Sequence, residues 1–181
     1  DGETVAIGAP EAGSNGVWTG QVMVHRIDSG GSSWEPLGQS ISGDNACDSF
    51  GTSVNISPDG NTLVIGSPGY YVDNDRPGYV RVFSLESSDN LDTGSWKQIG
   101  EDIVGEAIGD EFGNSVSLSE DGKMIAVGAA YNDGNGYRSG HVRVYRLDDS
   151  GSSWTQLGED IDGEAGYDSS GYSVSLSADG K

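Results

Sequence analysis

The chain has 181 residues, of which 30 are glycine and 5 proline, with 9 Lys+Arg against 29 Asp+Glu for a net charge of −20. That charge argues against nucleic acid and anionic membrane surfaces as partners, and no apolar stretch is long enough for a membrane-spanning helix. Cys47 is the single cysteine, which excludes an internal disulfide.

In chain order the sequence is a repeat. Asp-Gly pairs stand at Asp1-Gly2, Asp59-Gly60, Asp121-Gly122 and Asp179-Gly180, and tryptophans keep the same rhythm at Trp34, Trp96 and Trp154. A fixed period near 60 residues is the signature of solenoids and propellers. The repeats run over residues 1–58, 59–120 and 121–178, and 179–181 begin a further one. The second repeat is longer because of an insertion within 86–95, since Phe83 and Trp96 are further apart than His25 and Trp34 or Tyr145 and Trp154.

Each repeat is expected to make four antiparallel strands. In the first, Val5-Ala6-Ile7-Gly8 is an apolar run with small residues interspersed, which suits a strand covered on both faces, and Val22 and Val24 alternate with polar residues as a half-buried strand does. The same pair of patterns returns as Leu63-Val64-Ile65-Gly66 with Val80 and Val82, and as Ile125-Ala126-Val127-Gly128 with Val142 and Val144. In the third repeat the strands are expected at 114–119, 123–130, 141–147 and 154–161, the first two joined by an Asp-Gly hairpin turn. No segment offers a helical stripe. The fold class is therefore all-β, in β-propeller blades of three tandem four-stranded repeats. The three tryptophans are expected to pack between blades, and Ser53, Ser115 and Ser173, equivalent in the repeat, to be structural.

Phe50-Gly51 and Phe112-Gly113, each followed by a Ser-Val strand, with Gly8-Ala9-Pro10, Gly66-Ser67-Pro68 and Gly128-Ala129-Ala130, resemble the FG-GAP repeats of integrin α-subunit propellers and of many secreted proteins. Ser170-Gly171 and Ala130 depart from that pattern. The resemblance implies a propeller, an extracellular or cell-surface location and a role in binding or adhesion. It also implies a calcium loop between the FG and GAP strands, but Ser57–Asn61, Ser119–Lys123 and Ser177–Lys181 are too short to encircle the ion. That metal site is not carried over, and no metal ligands are assigned.

Two further groups of acidic residues leave a cation or plain solvation open. One is Asp73-Asn74-Asp75 with its counterpart Asn132-Asp133-Gly134-Asn135; the other is Glu159–Glu164 together with Glu101, Asp102 and Glu106. His25 and His141 fall at different places in their strands, without a neighbouring cysteine or third histidine, so local spacing assembles neither a triad nor a zinc site. Because the polar residues recur with the repeat, the chain is expected not to be an enzyme.

Recognition is expected on one rim, where the loops between second and third strands meet those joining successive blades. The candidate ligand-binding residues are Trp18, Tyr70, Tyr71, Asp73, Asp75, Tyr131, Asp133 and Tyr137. A protein or carbohydrate is the expected partner, with no cofactor, calcium at most. The alternative is a building block that joins copies of itself by sheet edges or blade contacts, the strand at 172–177 taking the opening strand at 3–9 of another copy as its partner. The sequon Asn55-Ile56-Ser57 lies in an expected strand before Pro58 and is expected to be unused.

Overall fold

The computed structural model describes residues 2–13, 18–69, 76–86 and 94–180. Among them there is no helix, and the strands form three antiparallel sheets. The first holds β1 (Thr4–Ala9), β2 (Gln21–Ile27), β3 (Trp34–Pro36) and β4 (Ile41–Ser42). The second holds β5 (Ser53–Ile56), β6 (Thr62–Ser67), β7 (Tyr79–Glu86), β8 (Ser95–Gln98) and β9 (Ile103–Val104). The third holds β10 (Phe112–Leu118), β11 (Met124–Ala129), β12 (His141–Leu147), β13 (Trp154–Gln156) and β14 (Ile161–Asp162).

Three features correct the strand assignment made from sequence. The outermost strand is expected to be continuous, but in every blade it is two pieces, both paired with the third strand, as β13 and β14 are with β12. Gly38, Gly100 and Gly158 stand at the breaks with φ between 73° and 77°, a conformation that interrupts a strand and favours glycine. Second, the hairpin turns hold four residues where the strand bounds 114–119 and 123–130 leave three: Ser119 N–H bonds to Met124 O and Ser57 N–H to Thr62 O, Gly60 N–H closes the turn on Ser57 O at 2.8 Å, and Asp59 is held by Ser57 Oγ at 2.5 Å. Third, residues 172–177 form no strand. A ladder needs a partner on at least one edge, and this segment lies against the third blade through Leu176 N–H on Ser117 Oγ at 2.9 Å.

The core sits between blades. One apolar cluster joins Val22, Val24, Leu37 and Ile41 of the first blade to Phe50, Leu63, Ile65, Tyr79, Phe83 and Trp96 of the second. The next joins Val64, Val80, Val82 and Ile103 to Phe112, Val116, Ile125, Val127 and Tyr145. Burial on both faces therefore holds for β6 and β11. It fails for β1, which is half-buried with Ile7 43% exposed, because its outer face meets no blade among the described residues.

The repeated polar residues close these joints. Trp96 Nε1 donates to Leu37 O of the preceding blade at 2.9 Å, and Trp154 Nε1 donates to Ile99 O at 3.2 Å. Ser53 Oγ reaches Gly113 O at 2.8 Å and Ser115 Oγ reaches Gly171 O at 2.7 Å. The GA and GS glycines allow this approach, since a Cβ on Gly66 or Gly128 would fall on the Gly113 or Gly171 carbonyl.

Candidate functional site

On the third blade, the loop from β11 to β12 folds on itself before it meets anything else. Gly140 N–H bonds to Asn132 O at 2.9 Å, and Arg138 N–H bonds to Asp133 Oδ1 at 2.7 Å. The loop is then tied to the one that leaves β14: Tyr167 N–H donates to Tyr137 O at 2.8 Å, Ser169 N–H to Arg138 O at 3.1 Å, and Asn135 Nδ2 to Gly163 O at 2.8 Å. Two loops from different parts of the sequence so present one preformed surface.

That surface is aromatic. The Arg138 guanidinium carbon lies 4.4 Å from the Tyr131 ring centre and 5.3 Å from that of Tyr137, while the Tyr137 and Tyr167 rings meet edge-on at 5.3 Å. Tyr137 is 55% and Tyr167 76% exposed. Arg138 and Tyr167 have φ of 53° and 72°, and Glu111, which feels the Arg138 charge, has φ of 56°. The left-handed region is unfavourable for side chains of this size and persists where surrounding bonds enforce it. Burial pushes the Glu111 carboxyl up to about 7 against the opposing pull of Arg138.

Of the residues expected to bind, Tyr131 and Tyr137 are thus brought together. Asp133 spends its carboxylate on the Arg138 backbone, so it closes the loop. Trp18 stands on the first blade, at the repeat position of Arg138, more than a third exposed, with its carbonyl taken by Ser49 N–H. Tyr70, Tyr71, Asp73 and Asp75 lie outside the described residues. Arg138, Tyr167 and Glu111 were missed. Tyr167 sits in a loop already assigned to this rim, but its counterparts Gly109 and Cys47 carry no aromatic ring.

A second polar group lies inside the joint between blades two and three. His141, at the start of β12, is buried with a side chain 1% exposed, and neither ring nitrogen has a hydrogen-bond partner. Its Nδ1 lies 3.8 Å from Asp160 Oδ2 and 4.0 Å from Glu106 Oε1. Arg143, two residues along β12, bridges the two carboxylates, with Nη2 on Asp160 at 2.6 Å and on Glu106. Its bonds hold both acids below their usual range, despite partial burial. Asn132 Nδ2 binds Glu106 Oε1 at 2.8 Å and the buried Asp110 at 2.7 Å. Burial drives the imidazole below its ordinary value.

The joint between blades one and two repeats the charges but not the histidine. Arg81 binds Asp44 at 2.5 Å and Asp102 at 2.7 Å, and Tyr79, in the place of His141, donates its hydroxyl to Asp48 at 3.0 Å. Sequence spacing did not reveal the His141 cluster because Glu106, His141 and Asp160 come from three segments far apart in the chain.

Residues 105–145 match the FG-GAP repeat family. Among solved structures, the chain is similar to a candidate 6-phosphogluconolactonase from Bacteroides fragilis, with TM-score 0.51, 17% identity, and coverage of 80% of this chain and 33% of the other. A candidate 6-phosphogluconolactonase from Bacteroides uniformis gives TM-score 0.50 and 13% identity, over 81% and 36%. A Lactobacillus plantarum protein gives 0.51 and 16%, over 87% and 41%. The chain thus spans a third to two fifths of the length of these structures. No curated protein matches its sequence.

These neighbours correct the expectation that the chain is not an enzyme. Two of them are described as candidate lactonases, so catalysis is attributed to proteins of this fold, and the recurrence of polar residues with the repeat does not argue against it. A regular scaffold leaves individual loops free to diverge, and chemistry resides in those loops rather than in the repeat. At this identity the likeness shows the fold alone. Residues 105–145 thus match the FG-GAP repeat that the sequence resembles, within sheets arranged as β-propeller-like blades.

Proposed function

We propose that the chain is a binding module that holds a protein or carbohydrate ligand outside the cell, on the rim of its third blade. The observation that carries this reading is the exposed Tyr137–Tyr167 pair, braced by Arg138 and fixed by bonds between two loops. Large rings that are already immobilised lose little freedom on binding, which is why aromatic residues concentrate where proteins make contact. The flanking Arg138 and Glu111 add groups for a ligand's amides or hydroxyls.

The test is a screen of glycans and extracellular proteins, followed by affinity measurement with Y137A/Y167A. Loss of binding in the double variant supports the rim site, and the class of hit separates carbohydrate from protein. Full binding by the double variant would overturn it.

A specific observation favours a second reading, assembly between copies. Trp34 is 49% exposed, whereas its counterparts Trp96 and Trp154 each reach a backbone carbonyl of the preceding blade. A blade of the same kind, offering Leu157 O as the first offers Leu37 O, is a surface that Trp34 fits. Sedimentation of the wild type and W34A distinguishes this reading, which requires a concentration-dependent oligomer lost in the variant.

A further inference from the structure

We propose that Glu106, His141 and Asp160 form a site for one divalent transition-metal ion of the zinc type, set in the joint between the second and third blades. Their ligand atoms all lie within 4.8 Å of one another. The observation that turns an acidic cluster into a site is His141: its imidazole is buried, both nitrogens lack partners, and Nδ1 faces the two carboxylates. A buried polar group without a partner costs free energy, and a metal bond satisfies one of these nitrogens.

The dimensions are within reach of the ion. Zinc bonds of about 2.0–2.2 Å put tetrahedral donors about 3.4 Å apart, so the separations of 3.8 Å and 4.0 Å from Nδ1 need a contraction of roughly half an ångström, and the two carboxylate oxygens, within 4.8 Å of each other, one of at most about 1.4 Å. One nitrogen with two carboxylate oxygens leaves a fourth position for water or a ligand atom. The mixed donor set favours a borderline ion over calcium, which takes six to eight oxygens.

An outer shell is also present. Arg143 and Gln156 hold Asp160, while Arg143 and Asn132 hold Glu106, so both acids are fixed before any ion arrives. Glu106 and Asp160 share the single Arg143 guanidinium, and the buried Asp110 is linked to Glu106 through Asn132, so carboxylates outnumber the guanidinium and a divalent ion offsets the excess. Glu106 is exposed, which gives the ion an entry path. The second blade is a natural control. It keeps the arginine and acids at Arg81, Asp44 and Asp102, but Tyr79 replaces the histidine and bonds to Asp48.

The experiment titrates the chain with Zn²⁺ and, separately, Ca²⁺ by calorimetry, while following the ring signals of both histidines by NMR. One zinc per chain is expected, with the His141 ring shifted and the His25 ring unchanged. H141Y, which installs the second blade's own residue, and H141Q, which installs the residue found at Gln21, should each weaken zinc by at least about tenfold. Absence of zinc binding, an unshifted His141 ring in the wild type, or unchanged affinity in a folded variant would overturn the proposal. Calcium binding equal to zinc and indifferent to H141Q would do the same, since it would place the ion on oxygen ligands alone. The NMR arm needs no variant, so a substitution that failed to fold would not shield the proposal.

Discussion

Replacing Trp96 with alanine measures how much of the fold's stability resides in the joints between blades. The indole is 4% exposed, belongs to the apolar cluster that links blades one and two, and donates to Leu37 O. Removing a buried tryptophan costs about 3–5 kcal/mol, and here part of that cost is the Leu37 carbonyl left without its partner. Against a total stability of about 5–15 kcal/mol this is a large share. For a chain of this size it corresponds to a fall in Tm of about 10 °C. The three equivalent tryptophans make the test internal. Trp154 is only partly buried and bonds at 3.2 Å, so W154A should cost about half as much; Trp34 is exposed, so W34A should stay within about 0.5 kcal/mol. Urea unfolding of the three variants, at a concentration where the wild type is monomeric, gives the order directly. Equal losses at all three positions would refute the reasoning, because they would locate the contribution in each blade's own sheet.

Gly66→Ala should destabilise by more than an ordinary glycine substitution, since its Cβ meets the Gly113 carbonyl across the joint; the check is thermal melting beside a control such as G30A, where the added carbon comes no closer than 3.6 Å to any non-adjacent residue and the backbone does not need a positive φ. Tyr79→Phe leaves the buried Asp48 without its hydroxyl partner and should cost about 1–3 kcal/mol in urea unfolding. For Glu111 the folded carboxyl titrates near 7, above its ordinary 4.5, so it favours folding fully below pH 4.5 and that contribution is lost as the pH rises through 7. Each tenfold gain in proton affinity on folding is worth about 1.4 kcal/mol, and after discounting for partial exposure the wild type should lose about 2 kcal/mol relative to E111Q as the pH rises from the acid side of that window to its alkaline side. Parallel pH dependence in the two proteins would refute this.

The all-β, propeller-like class was legible in the sequence because it depends on periodicity, and the FG-GAP resemblance because Phe112-Gly113 and Gly128-Ala129 stand in register; the neighbouring structures bear out the first, and the family match at residues 105–145 the second. Apolar alternation at Val80 and Val82, small residues in Leu63–Gly66 and glycines at fixed intervals constrain strands whatever surrounds them. The candidate rim was legible in part: Tyr131 and Tyr137 belong to one loop, while their partner Tyr167 comes from the loop after β14 and joins them only through backbone bonds.

What the sequence by itself determined was therefore the repeating unit, its strands and the positions that must be small or large. Only the tertiary structure decided which of those units bury one another and which distant side chains meet. Trp34, Trp96 and Trp154 look alike in the chain, yet one is exposed and two close joints, because burial depends on the neighbouring blade rather than on the residue. His141 likewise shows no local sign of a site. Its surroundings come from the exit loop of the second blade at Glu106 and the outer edge of the third at Asp160, whose carboxylate oxygens the stacking of the blades brings to 4.0 Å and 3.8 Å from its Nδ1.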